Sequence, residues 1–418
     1  MNSARVAVVG AGLAGLNCAA RLAELGFSPS IYEASDGIGG RARTDSVDGF
    51  RLDRGFQVLL TAYPEAQRTF DYASLGLGEF VPGAQVRQGD SFSVFADPTR
   101  VPRSALASLK LPVAGVADLW RLYRMKRDLA TNDPRKILER RDIPALESLR
   151  QRGFSNSMIE SFFRPFFGGV FIDPDLVTSS RLMEIYFRYF SDGSAALPRG
   201  GIGALAAQLA DRLPEGTINL NSPVSRVDPD GIELEDGRRI DAEAAVVATE
   251  ESGAATLCGL EVSAAERLTT CLYFDAPESE IKGSWLILSP AGEGPINELA
   301  IPSSVAEGYA PPGRSLVSVS VVGEQCDRTD LLGATRTQLA AWFGESVVAG
   351  WHHLRSYRIE QALPGFDPGR LRVDGLNPRL DSGVFVCGDH RETPSIQGAL
   401  VSGRKAAAAV AAAGDRTD

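Results

Sequence analysis

The chain has 418 residues, 44% of them apolar and 23% charged, and its formal net charge is −10. That length exceeds what one hydrophobic core serves, so two lobes are expected; the acidic balance disfavours a nucleic-acid binder, which needs a basic face. Five scattered cysteines without a CxxC pair, and only three histidines, argue against a disulfide framework and against a histidine-built metal site; no metal is assigned and a reducing cytoplasm fits.

The first five residues lead straight into a strand, leaving no room for a signal peptide, and no apolar run of roughly 18 residues could span a bilayer. Residues 5–10 (RVAVVG) read as a buried parallel strand. A helix is predicted over 13–25, with Leu16, Ala19, Ala20 and Ala23 on one face and Gly26 as its stop. Residues 28–33 form the next strand, completing a βαβ unit. From about 86 to 199 proline, arginine and aromatics are frequent, with helical spacing over 119–129 and 158–167. Glycine then helix returns at 200–213, and residues 217–227, 231–234 and 244–248 read as strands. Residues 272–274, 284–288 and 315–322 alternate as in an antiparallel sheet. A buried strand at 384–388 precedes a long alanine-rich helix from about 395. The expected architecture is α/β: a Rossmann-like nucleotide domain built from 1–85, 200–262 and 376–418, interrupted by a helical substrate segment at 86–199 and a sheet segment at 263–375.

Gly10-Ala11-Gly12-Leu13-Ala14-Gly15 fits GxGxxG between strand and helix. Gly10 permits the turn, Gly12 lets backbone approach a pyrophosphate, and Gly15 allows close helix–strand packing. The helix N-terminus adds free N–H groups and a positive dipole end. Glu33 ends the second strand roughly 20 residues on, where an acidic residue accepts hydrogen bonds from ribose hydroxyls. Ala34 follows it. Together these predict a dinucleotide site.

Gly37-Ile38-Gly39-Gly40-Arg41-Ala42-Arg43 resembles the GGR signature of the flavin amine oxidase, phytoene desaturase and protoporphyrinogen oxidase superfamily. Paired glycines permit a second close approach to cofactor, and Arg41 can neutralise pyrophosphate. Val384-Phe385-Val386-Cys387-Gly388-Asp389 and Ser395-Ile396-Gln397-Gly398-Ala399-Leu400-Val401-Ser402-Gly403-Arg404 resemble the same superfamily's C-terminal motif. The resemblance implies FAD, with Gly388 close by, Asp389 on the ribityl chain, and the helix opening near Gln397–Leu400, Ala399 included, aimed at the flavin pyrimidine edge. It also implies that Leu52-Asp53-Arg54-Gly55-Phe56-Gln57 runs beside the isoalloxazine ring, and that the backbone of Val224 contacts adenine. Two departures stand out: Ser35 occupies the place where many amine oxidases carry arginine, and no C-terminal cysteine stands where related proteins attach flavin, which favours non-covalent FAD.

On the substrate side, the aromatic run Ser161–Phe171 supplies Phe163 and Phe167 as walls of an apolar pocket or as plain core. Tyr357, in a stretch similar to the superfamily's YrixxALP, lines the cavity or packs in a strand. The basic, apolar segment 101–126 is a surface helix or a contact with a membrane surface. No lysine securely matches the amine oxidase lysine, since Lys282 sits in a polar turn. No catalytic side chain is therefore assigned. The expected function is FAD-dependent removal of hydride from a C–H bond of a small apolar molecule, of desaturase, dehydrogenase or oxidase type, with the electron acceptor open. A mutase resembling UDP-galactopyranose mutase and a non-catalytic flavoprotein that binds partners by redox state are the alternatives.

Overall fold

A computed structural model describes residues 4–96, 100–101, 114–262 and 266–414. Its central sheet has the spatial order Ile218–Asn219, Ser28–Tyr32, Arg5–Val9, Ala244–Val247, Phe385–Val386, and every pair in it is parallel. Three distant stretches of chain therefore meet in one sheet. The valine-rich strands are apolar throughout because both faces are covered. Val6 and Val8 pack against the helix Leu13–Glu24 and the C-terminal helix Ile396–Gly414, through Leu16, Leu400 and Ala407. Ala7 and Val9 pack on the opposite side against Val227, Ile232 and Leu234 of a small antiparallel sheet. The two helices approach so closely that a side chain at Gly403 would overlap the Ala14 carbonyl oxygen.

The second sheet has seven strands, in the order His352–Pro364, Glu266–Pro277, Arg314–Val322, Glu298–Ala300, Leu286–Leu288, Gly83–Gln88, Ser91–Ala96. Its two faces follow the two-residue period of extended chain. Leu272, Phe274, Val317 and Val319 turn toward Leu339 and Trp342 of the helix Leu331–Phe343. Cys271 and Tyr273 turn the other way, onto Phe50, Leu52 and Phe80, and so face the nucleotide domain. Phe50 and Leu52 come from the hairpin Thr44–Val47/Phe50–Asp53.

Three expectations change. Residues 217–227 are not one strand: Asn221, at φ 51°, turns the chain between Ile218–Asn219 in the parallel sheet and Val224–Asp228 in the small one. The stretch from 86 begins with a strand pair that joins the seven-stranded sheet before it becomes helical. The helical spacing expected over 158–167 runs further than that: proline at 165 would break it, but a π turn at Ile159–Phe163 takes up the lost backbone bond, and the helix continues as Arg164–Phe171. Of the segment 101–126, residues 102–113 lie outside the described residues; the remainder opens the helix Val116–Thr131, on which Val116, Trp120 and Tyr123 are exposed.

Candidate dinucleotide site

Two glycine turns interlock at the C-terminal end of the parallel strands. Gly10 has φ 104°, and a Cβ there would come within 2.9 Å of the Ala248 carbonyl oxygen, so both conformation and space demand glycine. The Gly39 amide donates to the Ala11 carbonyl at 2.8 Å, laying the second turn across the first, and a Cβ on Gly40 would sit 3.3 Å from the Gly12 Cα. Gly12 is the exception. A Cβ there would meet nothing within 4 Å. The loops thus enclose a space over Gly12 that protein atoms leave free, where a pyrophosphate would approach backbone. Leu13 and Ala14 are buried in the first helical turn beneath it, as is Gly15.

Glu33 is fixed rather than free. Its carboxylate accepts from the Ala11 amide at 2.8 Å, the Ser35 amide at 2.9 Å and the Ser35 hydroxyl at 2.7 Å. The departure at Ser35 therefore has a physical use, orienting the acidic group in place of adding charge. Ala34 is exposed beside it. The Ser222 amide donates to the Glu33 carbonyl at 2.8 Å, bringing the strand that begins at Val224 next to the ribose position. Glu33→Ala is expected to weaken FAD by about 1.5–3 kcal/mol, the scale for losing hydrogen bonds to a charged group; titration of the FAD-free protein checks it.

The C-terminal motif meets the N-terminal one through a charge pair. Arg41 donates to Asp389 at 2.6 Å and to the Ala362 carbonyl at 3.1 Å, while Gln57 Nε2 donates to the Arg41 carbonyl at 2.7 Å. Gly388 is held by the Ser402 hydroxyl, which accepts its amide proton at 2.9 Å. Gln397 spends its side-chain oxygen on the Glu65 amide at 2.9 Å, and the Ala399 amide is used on the Ser395 carbonyl at 2.9 Å. Gly55 has φ 92° and packs against Ile359, and Phe56 stands edge-on to Phe80 at 6.0 Å.

Asp53 is a hub that sequence reasoning missed. Buried, it accepts from Thr44 Oγ1 at 2.6 Å, Tyr309 Oη at 2.7 Å and the Ile202 amide at 2.9 Å, while Tyr273 Oη donates to its carbonyl at 2.9 Å. Burial pushes its carboxyl up to about 6, against the three hydrogen bonds that favour the ion. A folded-state value above the unfolded one gives stability that is full below about pH 4 and lost as pH rises to about 6. Asp53→Asn removes this term. Between pH 4 and pH 7 the wild type should lose about 3 kcal/mol relative to that variant, as denaturant unfolding at the two pH values would measure.

Of the substrate-side residues, Tyr357 donates to Asp45 at 2.7 Å and stands edge-on to Tyr273 at 6.0 Å; burial and that carboxylate push its hydroxyl up to about 12. Phe163 and Phe167 are both 0% exposed. They are core-side rings, because the π turn and the helix after it point them inward; Phe166 and Phe190 keep part-exposed surface. Lys282 is exposed in the turn after Glu280. Burial pushes His390 down to about 4, and among the described residues neither ring nitrogen has a partner.

A Rossmann-type cradle closed by an Arg41–Asp389 pair and faced by an antiparallel sheet fits a dinucleotide cofactor, and the family match makes the chain an FAD-dependent oxidoreductase. The chain belongs to the family described as flavin containing amine oxidoreductase, whose profile matches residues 13–411, and its cofactor is FAD. It is 24% identical to 15-cis-phytoene desaturase of Synechococcus elongatus over 98% of this chain and 96% of that one. It is 26% identical to coproporphyrinogen III oxidase of Propionibacterium freudenreichii over 77% of this chain and 73% of that one. Putrescine oxidase bound to putrescine has the same fold, with TM-score 0.72 at 17% identity over 98% of this chain and 99% of that one. Reduced UDP-galactopyranose mutase shares it too, with TM-score 0.72 at 16% identity, covering 98% and 96%.

Proposed function

We propose that the chain uses non-covalently bound FAD to remove hydride from a C–H bond of a small apolar molecule. The observation that carries this reading is the likeness over nearly the whole chain to 15-cis-phytoene desaturase, and an aromatic column in the core fits it. Phe163, Phe167 and Phe171 stack in turn at 6.3 and 5.6 Å, Phe171 meets Tyr186 at 5.3 Å, and Phe162 and Phe166 flank them. Tyr186 Oη then donates to the Pro394 carbonyl at 3.1 Å, directly before the helix opening that superfamily resemblance sets against the flavin. The charge inside the run, Arg164, is spent on Glu160 and the Pro174 carbonyl. The column's rings are core-side, so they back the site rather than line it, and the part-exposed Phe166 and Phe190 are the rings with surface for an apolar substrate, in keeping with a relative named for phytoene.

Bound FAD supplies the two-electron chemistry; the chain supplies position and electrostatics. Arg41 and the helix opening at Gln397–Ala399 bring positive charge to the cofactor. Domain boundaries at 199, 262 and 375 separate the cofactor-holding segments from those that enclose substrate, while the one expected at 85 falls inside the strand Gly83–Gln88 and so belongs before it. No helix among the described residues is long and apolar enough to cross a membrane; the exposed Val116, Trp120 and Tyr123, one turn apart on one helix face, support contact with a membrane surface.

His352 and His353 lie on the edge strand of the large sheet, with His353 against Phe274 and Ser356, and burial, which pushes His390 down to about 4, leaves that ring a weak base. Each histidine changed singly to Gln should leave anaerobic bleaching of the oxidised flavin band within about tenfold, or 1.4 kcal/mol, of wild type. The substrate-class reading is tested by the same stopped-flow bleaching: a polyene such as phytoene should reduce the flavin, and a primary amine such as putrescine should not. Bleaching by the amine alone, or a thousandfold loss in one FAD-loaded histidine variant, would count against it.

A further inference from the structure

We infer that His390 is a cofactor contact, its ring donating from one nitrogen and accepting at the other among the ribityl hydroxyls of bound FAD; this rests on the FAD reading of the same cradle. His390 belongs to the short 3-10 turn Asp389–Arg391 and is 6% exposed. Among the described residues neither Nδ1 nor Nε2 has a hydrogen-bond partner. Buried polar groups are nearly always paired, because burial takes away the water that would otherwise serve them. Two orphaned nitrogens on one ring point to a partner from outside the chain.

The ring lies at the mouth of the cradle. A Cβ on Gly388 would stand 2.5 Å from its Cε1, 2.6 Å from its Nδ1 and 3.3 Å from the Thr249 carbonyl oxygen, so the imidazole folds back over Gly388 beside Thr249. Thr249 in turn adjoins the first glycine turn, its amide nitrogen 3.5 Å from where a Cβ on Gly10 would be. His390 thus sits at the carboxyl ends of two neighbouring parallel strands, Ala244–Val247 and Phe385–Val386, where open α/β sheets take their ligands. The charged groups around it are engaged elsewhere. Asp389 holds Arg41 at 2.6 Å, Glu251 holds Arg370 at 2.7 Å, and Arg391 donates to the Asn377 carbonyl at 2.7 Å.

The chemistry of the ring narrows the choice of partner. Burial pushes His390 down to about 4, so near pH 7 it is neutral, with one nitrogen that donates and one that accepts. A diphosphate only accepts and would leave one nitrogen bare. A hydroxyl both donates and accepts, and hydroxyls on adjacent carbons can serve both nitrogens. The superfamily motif sets the neighbouring Asp389 on that same ribityl chain.

The test uses the FAD-loaded full chain as wild type, His390→Gln and His390→Leu. Each is diluted serially, and the flavin retained gives the dissociation constant. The Leu variant should hold FAD at least about tenfold more weakly, and Gln, which keeps a donor and an acceptor, should stay within about threefold of wild type. An FAD analogue with a deoxygenated ribityl chain should lose less affinity in the Leu variant than in wild type, as a direct contact requires. A readout that needs no variant is the NMR signals of the ring nitrogens in the loaded wild type, which should move for His390 when the analogue replaces FAD. Equal retention by the Leu variant, the same analogue loss in both proteins, or unmoved ring signals would overturn the contact and leave the FAD reading standing. A wild type that retains no FAD would overturn both.

Discussion

Gly12→Val should fold as well as wild type and take up no FAD, whereas Gly15→Val should not fold. The two glycines belong to one motif but face different things. Gly12 has φ −72° and ψ 175°, an extended conformation that valine adopts readily, and a Cβ there meets nothing within 4 Å. The cofactor-free protein should therefore change by no more than about 1 kcal/mol. The branched side chain would instead fill the space where the pyrophosphate lies against backbone, and cofactor uptake should be lost. Gly15 is the opposite case: its added Cβ would overlap the Gly10 carbonyl oxygen and press on the Ala248 Cβ at 3.1 Å. The helix Leu13–Glu24 could then not seat on the sheet. Melting curves of the cofactor-free variants and flavin content after FAD loading separate the cases. Normal loading by Gly12→Val would show that the site is misplaced.

Phe163→Asp should destabilise the protein more than any substitution at the cofactor loops except those that block the fold. Phe163 is 0% exposed and meets Phe154 at 4.7 Å, Phe162 at 5.4 Å and Phe167 at 6.3 Å. Removing such a ring costs about 3–5 kcal/mol, and a carboxyl left among phenyl rings adds the cost of burying a polar group without a partner. The loss should exceed about 5 kcal/mol near pH 7. It should shrink in acid, because the buried carboxyl has a raised folded-state value: stability is retained below the unfolded carboxyl range and lost as pH rises through the folded one. Phe163→Leu should cost far less. Urea unfolding at two pH values decides this, and a loss of only about 1 kcal/mol for the aspartate would mean that the ring lies against open space rather than core.

The parts legible in the sequence were those governed by local rules. The glycine turn after a valine strand, Glu33 at the end of the next strand and the Gly39–Arg41 turn all announce themselves through residues that only such geometry demands. The hairpin Thr44–Val47/Phe50–Asp53 turns on Asp48-Gly49, both at positive φ, a pair that is itself a strong hairpin signal. Other features depended on partners far along the chain. Asp53 reads as part of a turn until Tyr309 and Ile202 reach it, and the inward aim of Phe163 and Phe167 follows from a π turn that no spacing reveals. His352–Pro364 became a strand against Glu266–Pro277, although its alternating polar residues leave one side half in solvent. The Arg41–Asp389 pair joins opposite ends of the sequence, so only the fold brings it together.

The central claim, that this cradle holds FAD, is tested most directly by titrating the cofactor-free protein with FAD and with NAD in parallel calorimetric runs. FAD should bind tightly to one site per chain, give a yellow protein, and be released intact when the protein is precipitated with acid, while NAD should give no saturable heat. Tight NAD binding that FAD cannot displace, or flavin that stays with the precipitated chain, would contradict the account.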